Sequence, residues 1–302
     1  MTKVSIIVPC YNQAHFLPKA IATIQAQTLS AWECIIIDDG SIDNTAEVAA
    51  NMALADPRIR LVQKINGGSA SARDAGLREA KGEFIQFLDA DDTIASEKLE
   101  RQVALMERGG LDISYTAFCS KDSKGKQTKP RIHNLNLRKI LTKWGLGAST
   151  PIHSFLYRTE FIRSNNLLFQ SDCRVREDWK WHLACFMAKP RHAALSDYCG
   201  AIYYQNELGK TGSYIKMQEG NYTFMAYMVP RIHGWNKCLW TYRISEELWI
   251  WLLRMVKYRN TAIAKTIAPL IPQTGCILAA ILMMPISLFS VLGYFVKTYI
   301  VR

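Results

Sequence analysis

Short apolar runs alternate with amphipathic stretches of helical period through the first 118 residues, and this alternation restricts the fold more than any other feature of the sequence. Each run is continuous, which is typical of strands buried on both faces of a parallel sheet. The runs are residues 4–8, 34–37, 59–63, 84–88 and 113–118. This rhythm predicts an α/β domain with a doubly wound, mostly parallel sheet.

Two acidic clusters directly follow predicted strands. Asp38 and Asp39 end the second strand, and Asp89, Asp91 and Asp92 follow the fourth. Ligands of doubly wound sheets bind outside the carboxyl ends of the strands, so we expect both clusters at a ligand site. The first cluster can accept hydrogen bonds from a nucleotide base and ribose, and the second offers the hard oxygens that suit Mg²⁺ or Mn²⁺. The alternative for each cluster is a turn that caps the next helix.

A glycine pair follows the third predicted strand. Gly67 and Gly68 precede a helical stretch and would present free backbone N–H groups to a phosphate, and Arg73 adds a positive charge one turn into the helix. The segment has neither the Gly-Lys-Ser/Thr ending of a Walker loop nor a G-x-G-x-x-G dinucleotide fingerprint. We therefore expect an anion here without either of those motifs.

Charge is distributed unevenly along the chain, whose net charge is +11. Residues 1–118 contain 11 basic and 16 acidic side chains, a net charge of −5, whereas residues 231–302 contain 9 and 2, a net charge of +7. An evenly basic nucleic-acid-binding protein does not fit this pattern, so no nucleic acid partner is expected. Residues 119–143 contain eight basic side chains and one acidic one. Within them, the run 121–129 is interpreted as a solvated surface loop.

None of the eight cysteines has the C-x-x-C spacing of a zinc ribbon or thioredoxin motif. Several lie inside apolar runs, so the prediction is buried free thiols in a reducing compartment. No secretory signal is recognised at the start of the sequence. The bulk of the protein is therefore expected in the cytosol.

An uncharged carboxy-terminal segment predicts membrane association. Residues 266–296 carry no charge over 31 positions, and a helix over residues 275–296 would reach about 33 Å, enough for a hydrocarbon core of about 30 Å. A basic cluster and the Trp-rich segment 246–255 precede it, as expected at the cytoplasmic face of a membrane. Pro285 would kink a spanning helix or allow a re-entrant hairpin, and a buried core helix is the alternative.

Five segments occur in the order found in the large family-two inverting glycosyltransferases with the GT-A fold, which the chain resembles. They are residues 4–12 (VSIIVPCYN), 37–45 (IDDGSIDNT), 66–77 (NGGSASARDAGL), 82–92 (GEFIQFLDADD) and 177–179 (EDW). The resemblance implies a Rossmann-like, mostly parallel sheet flanked by helices. It divides the chain into a nucleotide-sugar-binding half (1–118), an acceptor-binding and catalytic half (119–230) and a helical, membrane-associating tail (231–302).

For the donor, the resemblance implies a UDP- or GDP-sugar bound by the first acidic cluster. Asp39 and Asp38 would contact the base or ribose, and Pro9 and Tyr11 would line that pocket. Arg73 would lie near the nucleotide.

The resemblance also implies metal-dependent transfer with inversion. Asp89 and Asp91 match the Asp-x-Asp pair, in which one residue reaches the ribose and the other a Mn²⁺ or Mg²⁺ ion on the diphosphate, with Asp92 as a substitute for the latter. Asp178 matches the general base that activates a hydroxyl of a saccharide or lipid-linked acceptor. Arg176 stands where the family often has Gly, and residues 203–206 lack the His often found in that region. The Gln-x-x-Arg-Trp pattern of processive synthases is missing, which favours the transfer of one sugar per encounter.

Two other classes of protein remain as alternatives to a glycosyltransferase. A non-catalytic sugar-nucleotide-binding protein would have Asp178 far from the nucleotide pocket. A nucleotidyltransferase usually has a Gly-rich, Lys- or Arg-bearing signature at the first strand, whereas this chain has Pro-Cys-Tyr-Asn at residues 9–12. His153 is a candidate for the acceptor pocket, and Trp179 and Trp181 could stack on a sugar or pack in the core.

Overall fold

The computed structural model of the chain describes residues 2–121, 125–143, 150–169 and 177–204. The strands are β1 (Val4–Cys10), β2 (Trp32–Asp38), β3 (Ile59–Gln63), β4 (Phe84–Phe87), β5 (Thr93–Ile94), β6 (Ile113–Lys121), β7 (Phe155–Arg158) and β8 (His192–Tyr204). The helices are α1 (Leu17–Gln25), α2 (Thr45–Ala55), α3 (Gly68–Glu79), α4 (Lys98–Gly109), α5 (Leu137–Lys143), α6 (Thr159–Ser164) and α7 (Glu177–Met187). All five predicted strands are confirmed, with bounds that differ by up to three residues.

The eight strands form one mixed sheet in the order β3-β2-β1-β4-β7-β6-β8-β5. The first four neighbours are parallel, as predicted. β7 lies antiparallel between β4 and β6, and β5 lies antiparallel at the edge beside β8, so six strands run in one direction and two in the other. The prediction placed β6 directly in the parallel series, but the short strand β7 separates it from β4.

The core forms because β1 and β2 are apolar on both faces. Val4, Ile6 and Val8 of β1 pack in one cluster with apolar residues of α1 and α4. On α3, a Cβ added at Gly76 would lie only 2.3 Å from Cγ2 of Ile7. The absence of that Cβ lets α3 rest directly on β1, and this contact fixes the start of α3 beside the carboxyl ends of the strands.

Cys119 and Cys199 are joined by a disulfide, with their Cα atoms 6.3 Å apart. The prediction of free thiols throughout was therefore wrong for this pair. The reason is long-range: β6 and β8 are neighbours in the sheet although the two cysteines are 80 residues apart in the sequence. Cys10, Cys34 and Cys185 are buried free thiols, as predicted.

Contacts divide the chain into two compact units, of which the first contains residues 1–140 together with 144–212. All site residues discussed below lie in this first unit. Across the described residues, no helix is long and apolar enough to cross a membrane. The predicted tail, residues 231–302, lies outside the described residues, as do Arg176 and the last two positions of the segment 203–206. The predicted limits of the two halves and the tail stay a prediction.

Candidate active site

The carboxyl ends of β1, β2, β3 and β4 lie along one edge of the sheet because these four neighbours are parallel. The loops after them carry Tyr11, Asp39 and Asp89, whereas Pro9 is the second-last residue of β1 and Asp38 is the last residue of β2. Pro9 pairs in register with Ile37, the residue before Asp38. The sheet thus brings together residues that are distant in the sequence, at the edge where the acidic clusters were expected.

Asp39 is almost fully buried, and three donors bind its carboxylate. Lys64 Nζ lies 2.6 Å from Oδ1, the Gly67 N–H donates to Oδ1 at 3.0 Å, and the Gly68 N–H donates to Oδ2 at 2.6 Å. The glycine N–H groups were expected to be open to a phosphate, and that expectation was wrong because the buried carboxylate needs them. The loops fit closely: Gly40 has φ +73°, and a Cβ there would lie 2.9 Å from the Asn66 nitrogen.

Asp38 organises the loop next to Asp39. Its Oδ1 accepts a hydrogen bond from the Ser41 N–H at 3.1 Å. Asn12 then connects this loop to the end of β1, because its N–H donates to Ser41 Oγ at 3.0 Å and its Oδ1 accepts from the Ile42 N–H at 2.9 Å. Tyr11, next to Asn12, is 45% exposed. The base pocket expected from Pro9, Tyr11 and the two carboxylates stays a prediction.

The three carboxylates after β4 have different surroundings. Asp89 and Asp91 are half-buried, and Asp89 Oδ1 accepts a hydrogen bond from Arg73 Nη2 at 2.6 Å. Asp92 is only 2% exposed, and its Oδ1 accepts from the Tyr204 N–H at 2.9 Å while its Oδ2 lies 3.1 Å from Nδ1 of His153. Burial raises the pKa of Asp92 well above its usual range, and the charges of Asp91 and Asp89 raise it further. The neutral carboxylic acid is therefore favoured at Asp92.

The donor set of this cluster fits a divalent cation. Asp89 and Asp91 supply hard carboxylate oxygens two residues apart on a strand-end loop, and Mg²⁺ is commonly bound by one or two carboxylates together with phosphate oxygens. Within the described ranges, no group of three or more His, Cys, Asp or Glu side chains is arranged to hold a metal ion. Any cation here would therefore depend on the diphosphate for further ligands.

Arg73 joins the acidic cluster to α7. Its guanidinium is buried, with Nη2 on Asp89 at 2.6 Å and Nη1 on Oε1 of Glu177 at 3.2 Å. Burial lowers the pKa of Arg73, but the charges of Asp89, Glu177 and Asp178 outweigh that effect and raise it above its ordinary value. The Ser69 hydroxyl also donates to Oε1 of Glu177. Two side chains of α3 thus hold the first residue of α7.

Asp178 is the second residue of α7 and is half-buried. Its Oδ1 accepts a hydrogen bond from the Trp179 N–H at 3.0 Å. Glu177 and Asp178 both lie in the first turn of α7, where carboxylates are favourable near the amino end of a helix. Glu177 nevertheless also binds α3, which simple capping does not require. The charge of Asp178 is close enough to Arg73 to raise its pKa, so Asp178 belongs to the same cluster.

Three side chains proposed for the acceptor are inside the protein. His153 has no exposed surface, so the expectation that it lines an acceptor pocket was wrong. Trp179 and Trp181 are also buried, and Trp181 stacks on Phe169 with ring centroids 4.2 Å apart. Both indoles therefore follow the core-packing alternative. Apolar neighbours exclude water from these side chains, and none of them offers a face to a sugar.

Sequence reasoning missed Lys64 and Ser69. Lys64 follows β3 directly and is the cation paired with Asp39. Ser69 lies four residues before Arg73, a spacing that places both on one face of a helix. That spacing was the available signal for Ser69, whereas the partner of Lys64 comes from another loop and leaves no local pattern.

The family model for glycosyl transferase family 2 matches residues 5–198. The sequence is 34% identical over 204 residues to an uncharacterized glycosyltransferase, EpsJ, of Bacillus subtilis, covering 64% of this chain and 59% of EpsJ. It is 26% identical over 239 residues to the poly(ribitol-phosphate) β-N-acetylglucosaminyltransferase TarS of Staphylococcus aureus, covering 76% of this chain and 38% of TarS. The chain thus spans less than two thirds of the length of either relative.

Two solved structures share the fold. The crystal structure of S. aureus TarS 1–349 in complex with UDP-GlcNAc has a TM-score of 0.68 at 21% identity and covers 94% of this chain and 82% of that one. The mannosyltransferase PcManGT from Pyrobaculum calidifontis, in complex with GDP-Man and Mn²⁺, has a TM-score of 0.60 at 16% identity and covers 93% and 85%. At these identities the likeness concerns the fold alone, and it agrees with the expected GT-A architecture.

Proposed function

Because the chain belongs to glycosyl transferase family 2, we propose that it transfers one sugar from a nucleotide-diphospho-sugar to a hydroxyl group of an envelope saccharide, with inversion at the anomeric carbon. The observation that carries the proposal is the double contact of Arg73 with Asp89 and Glu177. It places Asp178 beside the strand-end cluster. A protein that only binds sugar nucleotides has no need for a carboxylate there.

The donor is proposed to be a uridine nucleotide sugar. A carboxylate has about four lone-pair positions, and Lys64, Gly67 and Gly68 use three of those of Asp39. The remaining acceptor position suits the single imino N–H of uracil, whereas guanine presents two parallel donors. Among the structural neighbours, TarS was solved with UDP-GlcNAc and the mannosyltransferase with GDP-Man.

Asp91 and Asp89 would hold Mn²⁺ or Mg²⁺, and Asp92 is less suited because it is buried and favours its neutral form. When bound, the cation would neutralise charge on the leaving diphosphate. Arg73 holds Asp89 in position by a charge-assisted hydrogen bond. The Mn²⁺ complex of the mannosyltransferase neighbour supports a divalent metal in this fold.

Asp178 is proposed as the general base. The acceptor hydroxyl would give its proton to the Asp178 carboxylate while its oxygen forms a bond to the anomeric carbon. The bond from that carbon to the diphosphate oxygen breaks on the opposite face, and its electron pair leaves with the diphosphate. Glu177, held by Ser69 and Arg73, would keep the start of α7 in the position that this proton transfer requires.

We further propose that residues 231–302 attach the enzyme to the cytoplasmic face of a membrane, where lipid-linked acceptors are found. The support is in the sequence: a net charge of +7 in this segment and an uncharged stretch of 31 positions. TarS, which acts on poly(ribitol-phosphate) according to its name, is a relative with an envelope acceptor. The missing processive pattern supports transfer of one sugar at a time.

A thermal-shift panel tests the donor proposal. A ligand that binds only the folded state raises the melting temperature by mass action, so UDP-sugars with Mn²⁺ should raise it in a concentration-dependent way. GDP at the same concentration should produce a smaller shift because guanine presents two parallel donors, whereas one acceptor position remains on Asp39. A GDP shift that equals or exceeds the UDP shift would contradict the uridine preference, and no shift with any nucleotide sugar would contradict the donor site.

A further inference from the structure

Exposed cations are concentrated in residues 125–139, which follow β6 and are called the basic segment below. They are Lys126, Lys129, Arg131, Arg138 and Lys139. No acidic residue occurs in the sequence between Asp122 and Glu160. Ordinary solvated surfaces mix charges of both signs. A long stretch of a single sign therefore requires a better explanation than solubility.

The basic segment has a fixed place against the sheet. Phe118 and Arg131 exchange two backbone hydrogen bonds of 2.9 and 2.8 Å. The Thr128 N–H donates to the Ser120 carbonyl at 2.9 Å, and the Ser120 N–H donates to the Thr128 hydroxyl at 2.9 Å. These contacts hold residues 128–131 alongside the last residues of β6.

The basic segment lies next to the candidate active site. β6 runs in the same direction as β4, so its last residue, Lys121, is at the same edge of the sheet as the acidic cluster. Lys121 pairs in register with Tyr204, whose N–H donates to Asp92 Oδ1 at 2.9 Å. Since neighbouring strands are about 5 Å apart, the backbone of Lys121 is on the order of 10 Å from that of Asp92.

The positive charges of the basic segment add up to a positive electrostatic potential at its surface. In the part of the chain that the structure describes, no carboxylate forms a salt bridge with Lys129, Arg131 or Lys139. Burial lowers the pKa of His133, and the charges of Arg131 and Lys139 lower it further. A positive surface of this kind attracts an anion.

We propose that the basic segment binds phosphate groups of the acceptor, which makes the acceptor a phosphate-bearing polymer. This rests on the proposed function. The donor diphosphate is assigned to Asp89 and Asp91 after β4. A second anion that binds at this edge of the sheet would therefore belong to the acceptor. Arginine and lysine are the side chains that bind phosphate best, the first through its fork of N–H donors and the second as a point charge.

The test uses the full chain and one matched pair of variants. Lys129→Gln/Arg131→Gln removes two positive charges from the basic segment. Lys81→Gln/Arg108→Gln makes the same charge change at two exposed positions near the amino ends of β4 and β6, at the opposite edge of the sheet. The probe is a fluorescein-labelled glycerol-phosphate polymer, measured by anisotropy at several salt concentrations. Binding of UDP-GlcNAc with Mn²⁺ is measured in parallel by calorimetry.

We expect the basic-segment variant to bind the polymer about 3- to 30-fold more weakly, with a weaker salt dependence, because each exposed charge contributes roughly 0.3–1 kcal/mol. The control should stay within about twofold. The wild type, the basic-segment variant and the control variant should bind UDP-GlcNAc with equal affinity.

Several results would overturn the proposal. One is a wild-type protein that does not bind the polymer, and another is equal polymer binding by both variants. A third is unchanged polymer binding together with lost binding to vesicles of phosphatidylcholine and phosphatidylglycerol, which would make the partner a membrane surface. Polymer binding without any nucleotide-sugar binding by the wild type would contradict the proposed function and, with it, the assignment of the polymer as an acceptor.

Discussion

Among single residues, Asp91 and Asp92 show how neighbouring carboxylates can acquire different roles. Asp91 is half-buried at the carboxyl edge of the sheet. Asp92 lies in the interior, accepts a hydrogen bond from the end of β8 and faces the buried His153. A carboxyl group whose pKa is raised by burial is a poor cation ligand because the cation must compete with its proton. We therefore propose Asp91 as the metal ligand and a structural role for Asp92.

Exchange of each carboxylate for its amide separates these roles. Asp91→Asn should weaken Mn²⁺-dependent binding of UDP-GlcNAc by about tenfold or more, because a cation–carboxylate contact is lost. Asp92→Asn should change that binding by less than about threefold, since the amide oxygen can still accept from the Tyr204 N–H. Calorimetry in the presence of Mn²⁺ and in the presence of EDTA measures the UDP-GlcNAc affinity of both variants. The reverse ranking of the two variants would contradict this assignment.

The residue-level predictions succeeded where position alone was sufficient. Asp38, Asp39 and Asp89 follow buried parallel strands, and that is enough to place them at one edge of the sheet. The glycine N–H groups were misassigned because their acceptor, Asp39, comes from a different loop. Hydrogen bonds between loops leave no periodic trace in a sequence.

Among secondary-structure elements, the link between α3 and α7 is the most relevant to function. Ser69 and Arg73 lie one turn apart on α3, and both contact the same oxygen of Glu177 at the start of α7. A hydrogen bond to a charged group contributes about 1.5–3 kcal/mol. Such a contact can hold the first turn of α7, and with it Asp178, in one position.

Ser69→Ala tests this link. We expect kcat for transfer to fall about 5- to 20-fold with little change in donor binding, because the serine acts through Glu177 and not on the nucleotide. Ser71→Ala is the matched control on the same helix, since the Ser71 hydroxyl forms no hydrogen bond to Glu177 in the described part of the chain. Ser69→Thr should restore most of the activity. Equal kcat values for the two alanine variants would show that Ser69 has no positioning role.

Sequence reasoning missed three strands, β5, β7 and β8, although β8 with 13 residues is the longest strand of the sheet. β5 has two residues and β7 has four, which is too little for a period to be recognised. β7 nevertheless changes the topology, because its antiparallel pairing with β4 and β6 separates the parallel strands. Long-range pairing also explains the disulfide between β6 and β8, which cysteine spacing did not indicate.

At the scale of the whole molecule, charge separates the regions of the chain. Residues 1–118 have a net charge of −5 and residues 231–302 have +7. An acidic nucleotide-sugar-binding half would be repelled by an anionic membrane, whereas a basic and apolar tail would be attracted to it. Membrane attachment through the tail thus stays a prediction from the sequence, on residues outside the described ones.

Truncation after Asn260 tests this attachment. Most of the uncharged apolar surface lies in residues 266–296, so the shortened chain should move from the membrane pellet to the supernatant in a sedimentation assay. Its thermal shift with UDP-sugars should remain, because the donor site is built from residues before 118. A shortened chain that still pellets with membranes would assign the attachment to another part of the protein.

The central claim is that Asp178 is the base of a glycosyl transfer, and Asp178→Asn tests it most directly. Asparagine keeps the size and the hydrogen bond to the Trp179 N–H but cannot take a proton at neutral pH. We expect kcat for sugar transfer to fall by roughly 10²–10⁴-fold, the usual contribution of a general base. UDP-GlcNAc binding, circular dichroism and melting temperature should stay close to those of the wild type. A folded Asp178→Asn protein that transfers sugar at nearly the wild-type rate would contradict the account.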